Sequence, residues 1–177
     1  MKSLPFFLTS LLVVGCFPSN DGLQRYSTDW CTVRIPPEWS TKEDAYSQNR
    51  QKAKQLNLSD PTSNITIDIH NLSPPIPNPA WSFAHQMLSM MNEIAGQQHF
   101  LGSEVQSVSR SIGSKSRVAY CMSVTVSDPD YPRELMWETF KISHNLSDTF
   151  IIVSYPIDAP EELSPVLDSI LKSLKVD

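Results

Sequence analysis

From Asp29 to Ile35 apolar and polar side chains alternate, with Cys31, Val33 and Ile35 on one face and Thr32 and Arg34 on the other. That is the two-residue period of a half-buried strand, stopped by Pro36-Pro37. Asn64 to His70 repeats the pattern: Ile65, Ile67 and Ile69 face one way, and Thr66, Asp68 and His70 the other. Between them the periodicity is weak. Ser40-Thr41-Lys42-Glu43 has capping-box spacing and predicts a short helix, and Lys54 to Leu58 reads as a short edge strand. After the stiff run Pro74, Pro75, Pro77, Pro79, the chain changes period. Ala80, Phe83, Ala84, Met87, Leu88, Met91, Ile94 and Ala95 fall at helical spacing, with Asn78 as cap and Gly96 as stop.

Four strands are expected next. Glu104 to Ile112 slips in phase between Val105 and Val108, which suggests a bulge. Arg117 to Val126 alternates Val118, Tyr120, Met122, Val124 and Val126 against Ala119, Cys121, Ser123 and Thr125. Leu135 to Ser143 and Thr149 to Tyr155 are apolar enough for central strands covered on both faces. The turn chemistries Asp128-Pro129-Asp130 and Asn145-Leu146-Ser147-Asp148 imply antiparallel hairpins. The chain closes on a helix carrying Leu163, Val166, Leu167, Ile170, Leu171 and Leu174, capped by Ser164 ahead of Pro165. Helices packed on an antiparallel sheet make the fold α+β.

The apolar run before all this has a different meaning. Lys2 followed by Leu4 to Val14 is too short to cross a bilayer as a helix, which takes about 20 residues. It has the shape of a secretory leader. The run ends in Leu11-Leu12-Val13-Val14-Gly15-Cys16, which resembles a bacterial lipobox. The resemblance implies that the Cys16 thiol takes a diacylglyceryl group. Cleavage before Cys16 then frees its amine for a further acyl chain such as palmitate. One chain holds a protein only marginally at a membrane, and two or three hold it durably. Residues 1–15 are thus expected to be a leader, 16–27 a flexible tether, and 28–177 a single domain. Phe17 at the position after the cysteine, where sorting rules look for aspartate, leans towards an outer membrane.

Composition narrows the partners. With 14 basic and 19 acidic residues the formal charge is −5, and no long basic cluster appears. Nucleic acid binding, which rests on clustered Lys and Arg neutralising phosphates, is not expected. Cys31 and Cys121 remain after Cys16, and in an exported chain they read either as a disulfide or as two buried thiols. There is no C-x-x-C and no G-x-S-x-G. Asp68 and His70 share a strand face and are weak metal candidates, since a stable site needs three or four donors. His85, His99 and His144 are scattered, and Glu161-Glu162 falls at a helix start where the dipole favours acids. Met87, Met90 and Met91 suit either core packing or a greasy pocket. No non-covalent cofactor is expected.

Two local patterns carry a family resemblance. One is the opening strand running into Val33-Arg34-Ile35-Pro36-Pro37-Glu38-Trp39. The other is Tyr155-Pro156-Ile157-Asp158-Ala159-Pro160 followed by the helix ending Ile170-Leu171-Lys172-Ser173-Leu174. Together with the element order they resemble the PsbP, Mog and DcrB group over roughly residues 28–177. The resemblance implies an α/β/α sandwich around an antiparallel sheet, and a non-enzymatic role as accessory subunit, protein binder or envelope lipoprotein. The expectation is a lipid-anchored envelope domain that offers a sheet edge or helix face to a protein partner. The alternative is a carrier of small hydrophobic molecules or envelope lipids, with its pocket between the Ala80–Ala95 helix and the sheet.

Overall fold

A computed structural model describes residues 22–48, 51–75, 100–102, 105–126, 133–158 and 163–176. Two antiparallel sheets and one helix make up this part of the chain. The smaller sheet has the order β1-β2-β11, from Gln24–Ser27, Cys31–Ile35 and Lys175–Val176. The larger runs β3-β4-β5-β10-β9-β8-β6, from Ser40–Gln48, Gln51–Ser59, Thr66–Ser73, Asp148–Pro156, Arg133–Ser143, Lys115–Val126 and Phe100–Gly102. Strand β7 (Gln106–Ile112) also pairs with β8. Helix α1 spans Leu163–Ser173.

The alternating segments land as their period demands. Cys31, Val33 and Ile35 are buried in β2, and Ile65, Ile67 and Ile69 at and along β5. They meet Leu56, Leu58, Phe140, Ile142, Ile151 and Val153 from the large sheet in one core, closed by Leu167, Ile170, Leu171 and Leu174 of α1 and its exit. Strand β10 is central, between β5 and β9, and its Thr149, Phe150, Ile151 and Val153 are all buried. The hairpin expected at 145–148 joins β9 to β10, with the His144 N–H donating to the Ser147 carbonyl at 2.9 Å. Pro165 sits in the first turn of α1, where its missing N–H costs nothing. Trp39 is buried behind the Pro36–Trp39 turn, closed by a 3.1 Å bond from its N–H to the Pro36 carbonyl.

Three expectations are corrected. Ser40–Glu43 is no helix; it begins β3, which pairs with β4 in continuous register from Ser40↔Ser59 to Gln48↔Gln51. The capping box is a local signature, and here no apolar stripe follows for a helix to bury. The chain instead adds to β4, whose Leu56 and Leu58 are fully in the core. In consequence β4 is an interior strand, and β3 is the edge. Residues 24–27, expected in the tether, form β1 against β2, and Leu23 is already buried. Strand β8, whose alternation left the core-facing side open, turns Ala119 and Cys121 inward. Ala119 and Cys121 are buried in the sheet's core-facing row, while Val118 is 53% exposed. The slip expected in β7 sits upstream of it: β6 and β7 pair with β8 in registers one residue apart. The Ala80–Ala95 helix, with Met87, Met90, Met91 and His85, lies outside the described residues, as do His99, Asp128-Pro129-Asp130, Glu161, Glu162 and Cys16.

Candidate functional site: a cationic groove

The turn joining β7 to β8 has two central residues, Gly113 and Ser114, between the paired Ile112 and Lys115. Gly113 has φ +57°, the left-handed conformation glycine adopts without penalty. It also lies against the end of α1. Its N–H donates to the Leu171 carbonyl at 2.9 Å, and a Cβ there would stand 2.9 Å from the Leu174 carbonyl oxygen. The glycine therefore lets the hairpin dock on the helix C-terminus. Beyond Leu174 the chain enters β11, with Lys175 opposite Thr32 and Val176 opposite Cys31.

This docking creates a groove of about 520 Å³. Its floor is apolar, from Ile112, Ile142, Leu174 and Val176; its charged side chains are Lys115, Arg117, Lys172 and Lys175, joined by His144. Among the described residues no carboxylate lines it. Among the described residues, none of the four cations is in an ion pair. The Arg117 Nε and the His144 Nε2 are both buried with no hydrogen-bond partner. Buried nitrogens are nearly always satisfied, so two unsatisfied ones in the lining of one groove mark it out.

Arg117 is left over by a specific arrangement next door. It faces Arg110 across the β7–β8 ladder. Arg110 forks onto the buried Glu138, Nε to Oε2 at 2.8 Å and Nη2 to Oε1 at 2.6 Å, and reaches Asp168 of α1 at 3.2 Å. The Tyr155 hydroxyl donates to the same Glu138 Oε1 at 2.6 Å. The hydrogen bonds to Glu138 raise the Arg110 pKa further above its usual value, and burial followed by the Glu138 contact raises that of Tyr155. This closed network ties β7, β9, β10 and α1 together. It consumes one arginine of the facing pair and leaves the other to the groove.

The residues singled out from sequence fall elsewhere. Asp68 and His70 do share a face of β5. The Asp68 carboxylate, however, accepts from Asn57 Nδ2 at 2.8 Å and Gln55 Nε2 at 3.4 Å of β4. Burial pushes the His70 pKa below its ordinary value, against the pull of Asp68. Among the described residues no group of three potential ligands forms. Cys31 and Cys121 are buried thiols that are not joined to each other, one in each sheet. Burial, and then the charge of Glu138 opposite, holds the Cys121 thiol above its usual pKa, so it is protonated and unreactive. The groove was not visible in the sequence. K-S-R at 115–117 and K-S-L-K at 172–175 are short and far apart, and only the Gly113 docking and the β11–β2 pairing bring them together.

No family model and no curated protein matches the sequence. Solved structures do. The cyanobacterial PsbP of Synechocystis sp. PCC 6803 (CyanoP) superposes with a TM-score of 0.56 at 15% identity, covering 96% of this chain and 99% of that one. The fold is PsbP-like. The Ran-binding protein Mog1p of Saccharomyces cerevisiae gives 0.45 at 12% identity, covering 87% of this chain and 95% of that one. LpqN of Mycobacterium tuberculosis, involved in cell envelope biogenesis, gives 0.43 at 15% identity with 82% of each chain covered. Within the PsbP-like fold the groove lies where the β7–β8 hairpin meets the end of the C-terminal helix.

Proposed function

We propose that this chain is a lipid-anchored, non-enzymatic binding domain of the bacterial cell envelope whose working surface is the cationic groove. The observation that carries the binding reading is the groove itself: four cations unpaired among the described residues, and two buried, unsatisfied nitrogens, on a chain of net charge −5. Such an inversion of local charge draws an acidic partner by long-range attraction and selects against basic ones. The apolar floor supports the alternative reading, a carrier of small hydrophobic molecules or envelope lipids, over a broad protein interface. The pocket expected beside Ala80–Ala95 lies outside the described residues. The burial of Phe150 and Thr139, on the face of the sheet away from α1, supports the α/β/α layering that the sequence implies.

Anchoring rests on the lipobox-like Leu11–Cys16. Only a short link, 16–23, then separates Cys16 from β1. Intact mass of the protein purified from membranes tests it. The expected species begins at Cys16 and carries a diacylglyceryl group and an acyl chain. A chain that keeps its leader, or one cut elsewhere with a bare Cys16 thiol, overturns the anchor.

A further inference from the structure

We infer that the groove is a phosphate-group site, with Lys115, Arg117, Lys172 and Lys175 as its ligands. This deepens the reading of the groove as the working surface and rests on it. A carboxylate is satisfied by one arginine fork, whereas a phosphate group offers more acceptor oxygens over a wider arc and accumulates several donors. Here the donors come from three segments: the start of β8, the last turn of α1, and β11. They combine point-charge lysines, which tolerate varied phosphate positions, with one arginine, which supplies directed N–H donors. The Arg117 Nε and His144 Nε2 lack partners, and neither is offered one by the surrounding protein. The surrounding protein therefore does not already engage these side chains, and an oxyanion in the groove supplies acceptors to the exposed ammonium groups of Lys115, Lys172 and Lys175 and to the Arg117 guanidinium.

The helix end does not oppose this. The C-terminus of a helix is its negative pole. At α1, however, the Leu171 carbonyl accepts from Gly113 N–H at 2.9 Å and from Leu174 N–H at 3.3 Å, and the Ile170 carbonyl accepts from the Ser173 hydroxyl at 2.7 Å. Lys172 in the same turn adds positive charge. The groove also exceeds what a single phosphate ion fills, and its floor of Ile112, Ile142 and Leu174 is apolar. The phosphate group has two sources, a free phosphate or the headgroup of an acidic phospholipid, and the floor gives the second an additional contact.

The experiment is calorimetric titration of the full-length chain in a non-ionic detergent and a phosphate-free buffer. The probes are inorganic phosphate, dihexanoyl phosphatidylglycerol and poly-glutamate. The variants are Lys115→Gln/Lys175→Gln, both exposed positions, and Arg117→Gln; circular dichroism confirms that each folds. The expected result is binding of a phosphate probe that weakens about tenfold or more in each variant. Phosphatidylglycerol binding more tightly than phosphate, with phosphate competing, identifies the headgroup. Equal affinity identifies free phosphate. Phosphate-probe binding that the variants leave unchanged overturns the inference. Groove-dependent binding of poly-glutamate without either phosphate probe also overturns it and leaves the working-surface reading standing. No groove-dependent binding of any probe removes both.

Discussion

Arg110 and Arg117 face each other across one ladder, and like charges so placed repel unless something intervenes. Glu138, with Asp168 beside it, intervenes for Arg110 alone, so these carboxylates decide which arginine is structural and which is available. Glu138→Leu leaves Arg110 without its main partner in a partly buried place. Breaking a buried pair from one side costs about 3–5 kcal/mol. The denaturant midpoint should fall accordingly at unchanged m-value, and an Arg110→Met/Glu138→Leu double variant should recover much of the loss. His70 gives a pH test. Its folded-state pKa is depressed by burial, so the unfolded chain binds the proton more tightly. Its contribution to stability is full above about pH 6.5, the ordinary histidine value, and declines as pH falls through that value towards the lower folded one. His70→Gln should flatten the stability profile in that window; an unaltered slope would exclude His70 as its origin. The thiols are checked by counting. Denatured without reductant, the chain should show both Cys31 and Cys121 reactive, whereas in the native state both should be protected from alkylation.

At the scale of elements, strict alternation proved readable and local signatures did not. The strands at Cys31–Ile35 and along Ile65–His70 lie where the period put them, because burying one face fixes a strand's register. The Ser40–Glu43 capping box misled because β3 is an exposed edge with no apolar pattern of its own. Its charges Lys42, Glu43 and Asp44 discourage further strand addition at that edge. Strand β8 shows a different limit. Its alternation separates two faces without saying which turns to the core; the network of Arg110, Glu138 and Tyr155 occupies space on one of them, and Ala119 and Cys121 leave that space free. Charged chemistry arriving from three other strands and a helix has no trace in the local sequence of β8. The Gly113 turn is likewise invisible until it docks. Gly113→Ala meets both a positive φ and the Leu174 carbonyl, and should cost about 1–3 kcal/mol. The same change should weaken anion binding, because it lifts Lys115 and Arg117 away from Lys172 and Lys175. If stability falls while binding is unchanged, the turn does not shape the groove.

For the molecule as a whole, the two halves of the account come from different kinds of information. The proposed address, an acylated Cys16, is read from one contiguous stretch, Leu11–Cys16. The proposed working surface is assembled from residues 112–117, 142–144 and 172–176, which only the PsbP-like architecture unites. Two surfaces compete as the place where this domain meets its partner: the groove, and β3, the exposed sheet edge. Photo-crosslinking in intact cells that express the chain separates them most directly. A photoreactive residue at Ser114, on the groove rim, is compared with one at Ser47 on β3, both exposed positions. The account predicts adducts from Ser114 that vanish when Lys115 and Lys175 are neutralised, and none from Ser47. Adducts from Ser47 alone, or from Ser114 regardless of those charges, would contradict it.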